Sequence, residues 1–153
     1  IADEPTTALD VTVQKEVLAL IQQLVREDGM GLLLISHDLG LMRDQVDRVM
    51  VMYGGSVVES AATSELFAQR AHPYTRGLFA ARPRLGLARG TRLTTIAGSV
   101  PDLVDLPAGC AFADRCPDAV EACRSHAPEV LTIAPRLPSD TAHQVSCPRW
   151  SLS

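Results

Sequence analysis

The 153-residue sequence predicts an α/β fold: a parallel sheet in its first part, followed by a small, irregular, Cys-rich extension. Three observations lead there. The run Gly31-Leu-Leu-Leu-Ile-Ser36 is apolar without alternation, the reading of a strand covered on both faces, as in helix-flanked parallel sheets. A helical pattern separates it from a second apolar strand end at Ile1-Ala2, giving strand, helix, strand, a right-handed crossover unit. All four cysteines lie beyond residue 109, and nine of the ten prolines come after His72.

Each element has a local reason. Asp3 and Glu4 sit at the carboxyl end of the first strand, where alternation sends neighbouring side chains to opposite sides. Pro5 fixes φ and stops the strand, and Asp10 is placed to N-cap the next helix. Val13, Val17, Leu20, Ile21, Leu24 and Val25 recur at helical spacing. They predict a helix from Val11 to about Glu27, stopped by Gly29. The strand at 31–36 then ends on His37 and Asp38. If the two strands pair, their ends lie roughly 5 Å apart, and Glu4 and His37 share one site at the carboxyl end of the sheet, where open α/β sheets bind ligands.

Leu39, Met42 and Val46 suggest a short helix, and Arg48–Met52 another strand. Tyr53-Gly54-Gly55-Ser56 reads as the turn of a hairpin returning through Val57–Glu59, and Thr63 as the cap of a short helix through Phe67. His72-Pro73-Tyr74-Thr75 opens a helix with Pro at its first position, ended by Arg82-Pro83-Arg84. Residues 86–153 read as irregular, with a short strand near Leu93–Ile96. That segment lacks the apolar periodicity of an ordinary core, so it needs a staple, and the cysteines supply one.

Net charge of −4 and pI near 5.5 give no support to nucleic-acid binding, which needs a basic face. No run approaches the roughly 18 apolar residues of a membrane span. Four clustered cysteines in a cytosolic setting favour metal over disulfides. Their separations of five, six and 23 residues differ from the usual zinc pairs of two to four, so zinc is disfavoured without being excluded. Four thiolates can also hold an iron–sulfur cluster, and four reduced structural thiols are the remaining alternative.

The string Ile1-Ala-Asp-Glu-Pro-Thr-Thr-Ala-Leu-Asp10 resembles the Walker B motif and D-loop of ABC transporter ATPases, and Ser36-His37-Asp38 resembles their H-loop. His72-Pro73-Tyr74-Thr75-Arg76-Gly77-Leu78 resembles the segment that opens the C-terminal extension of oligopeptide and dipeptide importer ATPases. The run Leu106-Pro107, Gly109-Cys110, Phe112, Arg115-Cys116-Pro117, Cys123, then His143, Val145 and Cys147 resembles that extension too. The resemblance implies the C-terminal part of a P-loop NTPase sheet over residues 1–70 and the transporter extension over 71–153. It implies ATP and Mg²⁺ as cofactors. Asp3 would hold Mg²⁺, Glu4 would orient or deprotonate the attacking water, and His37 would sense the γ-phosphate. In-line attack on a γ-phosphate requires these groups. Asp10 would contact a second ATPase subunit across a dimer. Cys110, Cys116, Cys123 and Cys147 would hold a [4Fe–4S] cluster.

The implied partners are that second subunit, membrane permease subunits and, indirectly, an external solute-binding protein, at the cytoplasmic face of the cell membrane. The implied activity is ATP hydrolysis driving import of peptides or a related small solute. The Gly-rich phosphate loop, Gln loop and signature motif are expected before Ile1, so the 153 residues alone are expected to be inactive. Two other readings are a non-transport ABC ATPase and a truncated metal-binding or regulatory module.

Overall fold

The computed structural model describes residues 1–82, 94–134, 136 and 142–150. The chain divides into two compact units, residues 1–47 and 48–153.

In the first unit, β1 (Ala2–Asp3) and β2 (Leu34–Ile35) pair in parallel, with Ala2 opposite Leu34 and Asp3 opposite Ile35. The ladder continues outward through Glu4 N–H to the Ile35 carbonyl at 2.9 Å. Between them runs α1 (Val11–Asp28). Asp10 caps it by accepting from Thr12 and Val13 N–H, and Gly29 closes it at φ 62°, a left-handed conformation open to glycine at no steric cost. The predicted second strand is shorter than the apolar run, and Leu33 and Ile35 are 45% and 44% exposed. Within the described residues the strand is not buried on both faces as expected: Leu33 and Ile35 are open while Leu32 and Leu34 are half-buried. Asp38 caps α2 (Leu39–Met42) through Gly40 N–H at 2.7 Å.

The second unit is built on a four-stranded antiparallel sheet in the order β3-β4-β6-β5. The strands β3 (Arg48–Tyr53) and β4 (Ser56–Ala62) form the predicted hairpin. Gly54 and Gly55, at φ 54° and 76°, supply the two positive φ values that a tight I′ turn needs. α3 (Thr63–Ala68) begins without a side-chain cap; Thr63 is its first residue and is buried, so the capping role expected of it is corrected. α4 (Pro73–Ala80) starts with Pro at its first position, and His72 caps it through its ring. A 3₁₀ turn (Ala113–Arg115) and α5 (Glu121–Ser125) come next.

The extension is less irregular than its composition suggests. β5 (Leu131–Ile133) and β6 (His143–Val145) join the sheet, with β6 pairing β4 through Glu59–Val145 and Ser60–Gln144. The strand expected near Leu93–Ile96 does not form at 94–96, and Leu93 lies outside the described residues. The extension also has an apolar core. Phe112, 2% exposed, packs edge-on to Tyr53 at 5.1 Å and is tilted against Tyr74 at 5.3 Å. Ala71, Ile133, Val145 and Cys147 form a second buried cluster, with Leu131 and Trp150 against it. The few aromatics are concentrated here, and three rings at one point bury more area than periodicity alone predicts.

Candidate functional site

In the first unit, pairing of β1 with β2 brings their carboxyl ends together, and the side chains meet. His37 Nδ1 lies 2.9 Å from Glu4 Oε1. Thr7 Oγ1 donates to Glu4 Oε2 at 2.7 Å, so each oxygen of the Glu4 carboxylate has a donor. The turn that allows this is strained: Glu4 has φ 44° and Ala8 φ 64°, values uncommon outside glycine. Thr7 N–H closes the turn on the Glu4 carbonyl at 3.1 Å. The hydrogen bond from His37, and then that from Thr7, lowers the Glu4 pKa below its ordinary value. The same bond raises that of His37. The dyad is open to solvent, with His37 75% and Glu4 43% exposed. Chemically it is a carboxylate oriented from two sides beside an imidazole whose protonated form the carboxylate favours. Thr7 was missed at the sequence level; its spacing of three from Glu4, across a Pro-initiated turn, was the available signal.

In the second unit, Cys110, Cys116, Cys123 and Cys147 line one cavity of about 300 Å³, with His72 and Phe112 also in its wall. The Cys110 N–H donates to the Cys123 carbonyl at 2.7 Å. Gly109 makes this approach possible: a Cβ there would stand 2.3 Å from the Cys123 oxygen. Burial pushes the Cys110, Cys116 and Cys147 thiols up from their ordinary range. Arg76 ties α4 to the cavity rim by pairing with Asp118 at 2.5 Å.

Among the described residues, no three His, Cys, Asp or Glu side chains stand close enough to hold a single metal ion. Tetrahedral thiolates at about 2.3 Å from one ion would lie under 4 Å from each other. The thiols instead ring a space larger than one ion needs. That arrangement gives no support to the zinc alternative. The described residues give no support to the iron–sulfur cluster either.

Beneath the cavity wall lies a buried polar cluster that sequence reasoning did not find. Glu59 is 1% exposed and accepts three hydrogen bonds: Ala71 N–H at 2.7 Å, His72 N–H at 2.9 Å and His143 Nε2 at 2.8 Å. His143 Nδ1 stands 3.7 Å from Glu65 Oε1, which accepts from Arg136 N–H at 2.7 Å. The one sequence signal was a lone carboxylate inside the apolar strand Val57-Val58-Glu59. A buried charge has to be paired.

Residues 58–123 match the family model described as "Oligopeptide/dipeptide transporter, C-terminal region". A protein of Brucella ovis named as a peptide import ATP-binding protein is 48% identical over 155 residues, covering 98% of the chain and 44% of the relative. The oligopeptide transport ATP-binding protein OppD of Mycobacterium tuberculosis is 46% identical over 152 residues, 99% of the chain and 24% of the relative. The oligopeptide transport ATP-binding protein AppD of Bacillus subtilis is 48% identical over 132 residues, 86% of the chain and 40% of the relative. The chain thus spans less than half the length of these relatives. Among the described residues no helix is long and apolar enough to cross a membrane. Residues 58–123 carry the C-terminal region of the oligopeptide/dipeptide transporter family, and nearly the whole chain is similar to peptide-transport ATP-binding proteins.

Proposed function

We infer that this relative of the peptide-transport ATP-binding proteins is the C-terminal part of an ATP-hydrolysing subunit of an ABC importer for peptides or a related small solute. The observation that carries the reading is the Glu4–His37 contact across neighbouring parallel strand ends, at 2.9 Å, with Thr7 on the other carboxylate oxygen. Residues 1–70 belong to the nucleotide-binding domain and 71–153 to the transporter extension. Asp3, beside Glu4, holds Mg²⁺ with ATP. Glu4 orients and deprotonates the attacking water, and the donors on both oxygens hold its carboxylate in one orientation before the water arrives. His37 contacts the γ-phosphate and registers its loss. Asp10, which caps α1 with an exposed carboxylate, faces a second ATPase subunit. The two subunits close on ATP and reopen after hydrolysis, driving membrane permease subunits from the cytoplasmic face; an external binding protein delivers the solute. The chain touches no nucleic acid.

On this reading the 153-residue chain by itself does not hydrolyse ATP. The test is phosphate release by a longer form that includes a Gly-rich phosphate loop in the same frame. It should hydrolyse ATP, and Glu4→Gln should lower kcat at least a hundredfold, the scale of a lost general base. Turnover by the 153-residue chain, or an unchanged kcat in the variant, refutes the assignment.

The four cysteines hold a [4Fe–4S] cluster. What supports this is a shared cavity ringed by four thiols. Cys110, Cys116, Cys123 and Cys147 would hold the group, which would supply a staple for the extension and one-electron chemistry. Iron and acid-labile sulfide analysis after anaerobic purification should give about four of each per chain. Zinc at one equivalent with neither present sinks this reading.

A further inference from the structure

We propose that the loop Val100–Pro107 and the cleft beside it form a docking surface for a short basic segment of a partner protein, one that carries Lys or Arg next to apolar side chains. Val100, Leu103, Val104 and Leu106 are all exposed, Val104 to 94%. Apolar residues scattered singly over a surface need no explanation, but a contiguous group marks an interaction site. Beside them lies a cleft of about 330 Å³ with Asp105 and Asp114 in its wall. The Asp114 carboxylate is engaged by Arg124. That of Asp105 has no hydrogen bond or ion pair among the described residues.

The surface is built before a partner arrives. Pro101 and Pro107 bracket the loop with fixed φ. The Asp102 side chain accepts Val104 N–H at 3.1 Å and its carbonyl accepts Asp105 N–H at 3.1 Å, which closes a turn with Leu103 and Val104 at its tip. Leu103 and Leu106 lie over the glycine turn of the β3–β4 hairpin. A Cβ on Gly55 would stand 3.8 Å from Leu103, and one on Gly54 would stand 3.4 Å from Leu106. Arg115 fixes the chain just before the loop, donating to the Ile96 carbonyl at 2.9 Å, the Ala97 carbonyl at 2.8 Å and the Tyr53 hydroxyl at 3.2 Å. An apolar tip on a backbone already held loses little freedom on binding.

Charge selects the occupant. Residues 94–113 contain Asp102 and Asp105 and no Lys or Arg, and the guanidinium of Arg115 is directed at two carbonyls and a hydroxyl. An anionic membrane surface would be repelled. A second copy that set this patch on itself would bring like charges together. A partner with cations beside apolar side chains avoids both conflicts. Its apolar groups cover Val100, Leu103 and Val104, and a cation enters the cleft against Asp105. Neither the Glu4–His37 dyad nor the cysteines take part.

The test uses the full chain and a short fluorescein-labelled peptide of lysine and leucine, followed by fluorescence anisotropy. The wild-type chain should bind it, and a peptide with glutamate in place of lysine should stay free. Val104→Ser removes the apolar tip and should weaken binding about fivefold or more, the scale of losing one anchoring side chain. Asp105→Lys reverses the charge in the cleft and should weaken it about tenfold or more, as a like-charge contact does. Both side chains are exposed, so the unfolding midpoint read from Trp150 should not move in either variant. A wild-type chain that leaves the lysine peptide free, equal binding of the glutamate peptide, or unchanged affinity in either variant overturns the proposal. So does binding to phosphatidylserine vesicles that both variants abolish, or self-association in sedimentation equilibrium that Val104→Ser removes, since each puts a different occupant on the surface.

Discussion

Replacing Glu59 with Ala should be among the most damaging single changes in the second unit. The carboxylate is 1% exposed and satisfies Ala71 N–H, His72 N–H and His143 Nε2 at 2.7, 2.9 and 2.8 Å. Truncation leaves all three buried and unpaired. An unsatisfied buried donor costs about 1–3 kcal/mol. Three donors around one site relax together, so the expected loss is about 3–5 kcal/mol, less than three full penalties. Against a typical domain stability of about 5–15 kcal/mol, that is about a fifth of the total at the least. Glu59→Gln keeps one oxygen acceptor but turns an amide toward the donors, so it should cost less than Ala, roughly 1–3 kcal/mol. Trp150 is the chain's one tryptophan and packs on the Ala71–Ile133–Val145–Cys147 cluster, so its fluorescence in a urea titration reports this unit. A loss below about 1 kcal/mol, or a Gln variant less stable than Ala, would show that these bonds do not hold the unit together.

Two further outcomes are expected. The Glu4–His37 contact raises the pKa of His37 above 6.5 and lowers that of Glu4 below 4.5. The stabilisation from His37 is therefore full below 6.5 and lost as pH rises through the raised value. That from Glu4 is full above 4.5 and lost as pH falls through the lowered one. A ring-proton NMR titration should place His37 above its ordinary value, and Glu4→Gln should return it; identical curves refute the contact. Gly109→Ala sets a Cβ 2.3 Å from the Cys123 oxygen and 2.5 Å from the Arg124 carbonyl carbon, so backbone must move, at about 1–3 kcal/mol. Among the described residues, Gly77→Ala meets the Ile96 side chain alone, at 2.9 Å, which can turn aside. The Trp150 midpoint should therefore fall further for Gly109→Ala than for Gly77→Ala.

The first unit was legible because its signals are local. Helical periodicity, an Asp cap, a Gly stop and an unalternated strand each act within a few residues, and the parallel pairing is a consequence of their order. The hairpin at Gly54-Gly55 was readable for the same reason. The second unit hid its organisation because its contacts are distant in sequence. β6 pairs a strand more than eighty positions earlier, and three residues are too few to show a period. The packing of Phe112 was not legible because Tyr53 and Tyr74 reach it only through the fold. Thr63 looked like a cap because its type suits one, but packing buried it and left the helix start to backbone geometry. The cysteines were visible as a set; that they share one cavity was not, since it depends on Gly109 letting two backbones touch.

The pairing of Glu59 with His143 sets the order in which the second unit can close. Glu59 lies early in its sheet, and its imidazole partner is among the last residues to join. Until that strand arrives, the carboxylate lacks one of its three donors, and hydration opposes its burial. The hairpin can form by itself, but the site beneath it stays open to water while the intervening chain finds its place. Such long-range closure slows folding. It also gives the unit a check on completeness: a molecule lacking the final strand keeps a solvated charge where the core should be.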